Sequence, residues 1–366
     1  MQITSNTTGM EAGLAVITDK DAHDYCVVVV KGTFVTDDRG ELRLAKPPIP
    51  LVYADEHYGD PESTSIKYET DFSLRKPQTD VVVVGKAVAP EGRPVNRMMV
   101  RLEVEGRTKD IAVFGERRWV RAAGGLRFSP PVPFREMPLT FDRAFGGIDN
   151  STNSNTVAAE RRNLVGVGFA RNRSPRAMDG RPLPNLERPD QLIRSPGNWP
   201  TPIGLGFVGR SWLPRAGFTG TYDQRWRDEI APFLPADFDD RYFQAAPVDQ
   251  HFPPFEGGER IRCVHMAHQP VVEYRLPRIE LPIRFRFRGG DRIQHPMLDT
   301  VVVEPHESRA LLTWRTSVVL GKKLNELIEI GIGPAPASPG PVGRRRGKPL
   351  FENLDTLVRW RRQKQH

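Results

Sequence analysis

The chain has 366 residues, 38% of them hydrophobic and including 18 Phe and 6 Trp, so it can bury a sizeable core; its 34 Pro and 32 Gly argue against a helical bundle. The net charge of +8 is concentrated in the tail: from Arg344 to His366 the charges sum to +6, which leaves a nearly balanced body and excludes a whole-surface nucleic-acid footprint. No membrane-spanning run is expected, because the longest aliphatic stretches are Val27–Val30 and Val81–Val84, and two cysteines cannot form a disulfide framework.

The opening residues show no cationic start followed by an apolar run, and the expectation is a cytoplasmic protein. Strands are expected at Tyr25–Thr36, closed by the turn residues Asp37-Asp38-Arg39-Gly40, and at Asp80–Ala89. Arg97–Glu105 and Thr108–Gly115 flank Gly106 as a hairpin would. Arg117–Arg121 and Leu126–Phe128 do the same around Gly124-Gly125. Short strands at this spacing predict a mainly β fold: two sandwich-like antiparallel sheets with long ordered loops and few short helices.

From Phe134 to Pro214 the chain is rich in Gly, Pro, Asn and Arg, yet it carries Phe141, Phe145, Phe169, Trp199, Phe207 and Trp212. A flexible linker lacks such aromatics, so ordered irregular structure is expected, with Ser151–Thr156 as a mobile tip. Tyr222, Trp226 and Ile230 recur at helical spacing and predict a helix over 222–230, stopped by Pro232. Strands resume at Glu259–Met266, Val271–Leu276, Ile279–Arg288, Thr300–Val303, Ala310–Val319 and Glu326–Ile332. After Gly333 come a low-complexity linker and a short basic helix bearing Leu350, Leu354, Leu357 and Val358. The domain reading is 1–135, 136–332 packed with it, and 333–366.

The densest segment is Gly220–Glu259. It holds Tyr222, Trp226, Phe233, Phe238, Tyr242, Phe243, Phe252 and Phe255, interrupted by Pro232, Pro235, Pro247, Pro253 and Pro254. Tertiary contacts must pin a segment so aromatic and so often broken. Its Asp223, Asp237, Asp239 and Asp249 could form an acid pair, as in a carboxylate-dependent hydrolase. Structural use is the favoured reading: Asp237 as a cap, Asp249 in a turn. Cys263, His265 and His268 lie close in sequence, but on a strand 263 and 265 share one face and 268 takes the other, so no metal site is expected. There is no HExxH, Walker or GxSxG pattern, and no cofactor is expected.

As a set, several blocks resemble one family. They are Phe141–Gly147 (FDRAFGG), Asn163–Phe169 (NLVGVGF), Leu183–Glu187 (LPNLE), Gly220–Asp223 with Trp226, Leu234–Asp239, and Arg241–Pro247 with Asp249-Gln250. In this order they are similar to the bacterial domain-of-unknown-function family 2169, over most of the chain. The resemblance implies an accessory adaptor-chaperone of type VI secretion that binds an effector, or its PAAR-type carrier, and helps load it on the VgrG spike. The partner-binding residues expected on this basis are Tyr222, Asp223, Trp226, Arg241, Tyr242, Phe243, Asp249 and Gln250. The rival readings are the hydrolase and a nucleic-acid binder acting through the basic tail.

Overall fold

The computed structural model describes residues 1–37, 41–149, 158–321 and 326–334, with the backbone of 343–345 and 348–350. The expected Ser151–Thr156 tip and the helix beyond Leu350 lie outside the described residues. The Gly333–Lys348 stretch read as a linker contributes one short antiparallel pair, Gly343–Arg345 with Lys348–Leu350.

The valine-rich strand Asp24–Thr36 lies inside a seven-stranded sheet. Along one edge it pairs antiparallel with Arg309–Val319; along the other it pairs first with Glu11–Thr18 and then with Leu42–Leu44. Beyond Arg309–Val319 come Met297–Glu304, then Thr79–Val83 in parallel register, then His251–Phe252 at the far edge. Its continuous Val run reflects burial on both faces. Val28 and Val30 join the main core, whereas Val27 and Val29 pack with Leu51 and Leu74 on the opposite side. Val81 and Val83 likewise face the main core, while Val82 meets Val302 and Leu311.

A second sheet is entirely antiparallel, in the order Leu186–Glu187, Arg107–Phe114, Arg97–Val104, Arg260–Val264, Val271–Arg275. It has one wet face, and its sequence alternates accordingly. Val100, Leu102, Val104, Ile261, Cys263 and Tyr274 enter the main core, while Arg101, Arg260, Arg262 and Glu273 are exposed. A third sheet of four strands (Ile3–Asn6, Leu327–Ile332, Ile283–Phe287, Gly290–Gln294) adds Ile283, Phe285 and Ile330 to the same core. The fold is mainly β and sandwich-like, with two short α-helices, Pro175–Met178 and Gln224–Glu229, among the described residues.

Several expectations are corrected. Asp80–Ala89 is not one strand: it divides into Thr79–Val83 and Lys86–Val88, which belong to different sheets. The break falls where the Val83 amide turns to Leu205 O and the Gly85 carbonyl accepts from Leu139 N. The helix begins at Gln224 rather than Tyr222, because Asp223 accepts from the Trp226 amide at 2.8 Å and fixes the start. Asp237 is not a helix cap; it accepts from the amide and hydroxyl of Thr221 at 2.9 and 2.8 Å. The cap is Asp239, two residues on, which accepts from the Arg241 amide ahead of the turn Asp240–Phe243.

Candidate functional site

One block of the resembling family, Arg241–Pro247 with Asp249-Gln250, is anchored on strand Thr79–Val83. Asp80 is fully buried, and its two oxygens accept from Gln244 Nε2 (2.6 Å), Ala245 N (2.8 Å) and Lys76 Nζ (2.7 Å). Burial by itself would raise this carboxyl; Lys76, His251 and the Ala245 amide outweigh it and hold the group below the usual range. Gln250, 1% exposed, donates to Val81 O (2.6 Å) and Leu205 O (3.0 Å) and accepts from Lys109 at 2.8 Å. The segment 244–251 is thus stapled along the sheet edge by side chains that satisfy backbone groups otherwise orphaned.

A second buried cation joins the neighbouring loops. Arg215 donates to Val208 O and Tyr242 O, both at 2.8 Å, and pairs with Glu69. Arg210 also reaches Glu69 (3.0 Å) and Asp55 (3.0 Å). Each is locked on both sides, so the loops 208–218 and 240–251 stand at a set separation.

Between these loops opens a cleft of about 360 Å³. Its apolar lining includes Phe141, Ile203, Leu213, Phe218 and Val248, the last 65% exposed. Lys109, Arg162, Arg188 and Arg241 also line it, and each is paired: with Asp249 (2.7 Å), Glu160 (2.8 Å), Asp190 (3.1 Å) and Asp239 (2.7 Å). Of these acids, only Asp249 lines the cleft itself. Burial pulls the Lys109 ammonium below its ordinary value, and Asp249 offsets part of that shift. Arg241 also lies over the Phe218 ring, 4.3 Å from its centroid.

The expected partner-binding residues do not form one patch. Arg241 and Asp249 line the cleft. Tyr222, half exposed, packs edge-on against Trp226 at 4.6 Å, and Trp226 Nε1 donates to Phe233 O, so with Asp223 they build a separate aromatic knob. Tyr242 and Phe243 are half-buried in a knot with Phe238. Gln250 is a structural staple with no surface to offer a partner. Sequence reasoning missed Lys109, Arg162, Arg188 and Val248. Arg162 directly precedes the Asn163–Phe169 block, a usable signal; Lys109 sits in the charged half of strand Arg107–Phe114, between Thr108 and Asp110, and carries none.

The four carboxylates considered for hydrolysis are all engaged. Asp223 and Asp239 are caps, Asp237 holds Thr221, and Asp249, the one lining the cleft, is tied to Lys109. Cys263 is buried and pushed up to about 12 by desolvation, while His265, at φ 59°, lies beyond the strand end with Nδ1 against Met99 O, 3.1 Å away. Cys263, His265 and His268 therefore do not converge. Among the described residues no helix is long and apolar enough to cross a membrane.

Residues 21–315 match the family model described as an uncharacterized protein conserved in bacteria, DUF2169. No curated protein and no solved structure matches the chain significantly.

Proposed function

The chain belongs to the bacterial family DUF2169, and on that premise we propose that it is a cytoplasmic adaptor-chaperone of type VI secretion, which binds an effector or its PAAR-type carrier and helps load it on the VgrG spike. The observation that carries this reading is the cleft itself. It joins an apolar lining to a rim of arginines and a lysine, and two of the blocks on which the resemblance rests contribute to its wall, through Phe141 and through Arg241, Gln244, Ala246, Pro247 and Asp249.

The chemistry suits holding followed by release. An apolar side chain of the client buried on Ile203, Leu213 and Phe218 contributes about 2 kcal/mol. The rim pairs Arg241–Asp239 and Arg188–Asp190 are solvent-exposed, and water and salt screen such pairs so that they contribute little. Client carboxylates can therefore replace the resident acids at little cost, and salt or a competing spike surface can displace them again. The buried staples at Asp80, Gln250 and Arg215 keep the cleft open before the client arrives, so little binding energy goes into ordering it.

The test is delivery. Deleting this protein should abolish secretion of one effector while spike firing continues, and the tagged protein should co-purify that effector or a spike component. Val248→Asp, an exposed change on the cleft rim, should weaken capture at least tenfold with folding intact. Unchanged delivery of every effector in the deletion strain would end the proposal.

A further inference from the structure

Outside the cleft, three exposed side chains from distant parts of the sequence meet at the end of strand Lys86–Val88. Candidate donor atoms of Glu136, His268 and His306 all lie within 4.8 Å of one another. The two imidazole rings are 5.3 Å apart, centroid to centroid, and tilted by 50°.

The backbone explains why they meet. Glu136 opens the strand Glu136–Pro138, which pairs antiparallel with Lys86–Val88, Glu136 opposite Val88. The turn carrying His268 is tied to the same strand by the Val88 amide, which donates to His265 O at 2.9 Å. His306 lies in the turn Pro305–Glu307, packed beneath Gly85: a Cβ on that glycine would sit 3.5 Å from Pro305 Cδ. Each of the three adjoins a buried residue: Met137, Ala267 and Pro305. The side chains are thus exposed while their backbones are anchored, the arrangement that preorganises a ligand set.

Neither His268 nor His306 makes a hydrogen bond to another described residue, so both ring nitrogen pairs are available as ligands. Lys86 Nζ holds Glu136 Oε2 at 2.8 Å, and a carboxylate has a second oxygen to offer. A tetrahedral zinc with bonds of about 2.0–2.1 Å sets its ligand atoms about 3.4 Å apart, within reach by side-chain rotation.

We propose that Glu136, His268 and His306 form a surface binding site for a divalent transition-metal ion of the zinc, nickel or copper class. Two imidazoles and one carboxylate favour these borderline ions over calcium or magnesium, which take all-oxygen sets. The open side faces solvent and leaves the remaining coordination positions to water.

The other cluster of ligand-type residues, Asp19, Asp21 and His23, serves as the internal control. Its Asp19 Oδ1 is already taken by the amides of Asp21 and His23, both at 2.9 Å. Zinc is titrated calorimetrically into the full chain and four variants, with thermal melts to show that each is folded. One equivalent of Zn²⁺ should bind. His268→Ala and His306→Ala should each weaken it at least tenfold, His23→Ala should leave it unchanged, and Lys86→Met, which frees the carboxylate, should tighten it. Calcium should give no saturable heat. The proposal is overturned if the two imidazole variants bind zinc as tightly as the parent, if His23→Ala removes the site, or if calcium binds with equal affinity.

Discussion

The buried pair Lys76–Asp80 allows a quantitative test of how the cleft is held. Both side chains are almost wholly inaccessible, their charged atoms 2.7 Å apart. Asp80→Asn leaves the Lys76 ammonium facing Thr300 Oγ1 at 3.0 Å and Glu69 at 3.8 Å, with its principal counter-charge gone. It also places an amide opposite the donors of Gln244 and Ala245. Breaking one side of a buried ion pair costs about 3–5 kcal/mol. At about 2 °C per kcal/mol for a large domain, the melting temperature should fall by about 8 °C. Lys76→Met should cost a similar amount, since it strands the carboxylate instead. The double variant Lys76→Met with Asp80→Asn removes both charges, and it should be less destabilised than the sum of the singles by about 2–3 kcal/mol. Urea unfolding followed by tryptophan fluorescence measures all three. Single variants costing under about 1 kcal/mol, or a double variant that is simply additive, would refute the reasoning. Because Gln244 and Ala245 anchor a cleft wall through Asp80, client capture should fall in Asp80→Asn even at temperatures where it stays folded.

Further expectations rest on other residues. A carboxyl depressed in the folded state contributes stability above its unfolded value and loses it as pH falls through the folded one. Asp80, Asp55 and Glu160 are of this kind, so stability should drop below about pH 4, with a shallower decline in the double variant; equal slopes in urea midpoints over roughly pH 3 to 6 would contradict this. Asp299, raised by burial beside Arg315, works in the opposite sense, and Asp299→Asn should leave that acid decline in place. Gly220 has φ 83°, and an added Cβ would lie 2.7 Å from Asp237 Oδ1; Gly220→Ala should cost about 2 kcal/mol in unfolding, and a neutral result would show the loop to be freely adjustable. Cys26 and Cys263 are buried, with thiols pushed up to about 11 and about 12, so a thiol reagent at neutral pH should label neither until denaturant is added.

Much of the fold could be read locally. The valine runs, the alternation in Arg97–Val104 and Arg260–Val264 and the hairpin glycines follow from side-chain period and turn chemistry, which act over a few residues, whereas the caps fell on Asp223 and Asp239 and not on the expected Asp237. The order of the blocks from Phe141 to Gln250 identified the family without any structure. What could not be read was which distant segments pair. Nothing local marks Asp24–Thr36 as the neighbour of Arg309–Val319, or splits Asp80–Ala89 between two sheets at Gly85, because the deciding contacts come from Leu139, Leu205 and Val303. The aromatic and acidic wealth of Gly220–Glu259 was plain in the sequence, but its division of labour was not. Gln250 turns inward to the Val81 and Leu205 carbonyls, and Gln244 bridges the Asp80 carboxylate and the Gln78 amide, while Arg241 and Asp249 face the cleft with their charges. The same holds for His268: its sequence neighbours Cys263 and His265 point elsewhere, and only the tertiary fold sets it beside Glu136 and His306. Burial and polar satisfaction are decided across the whole core, so they select partners that no window of sequence contains.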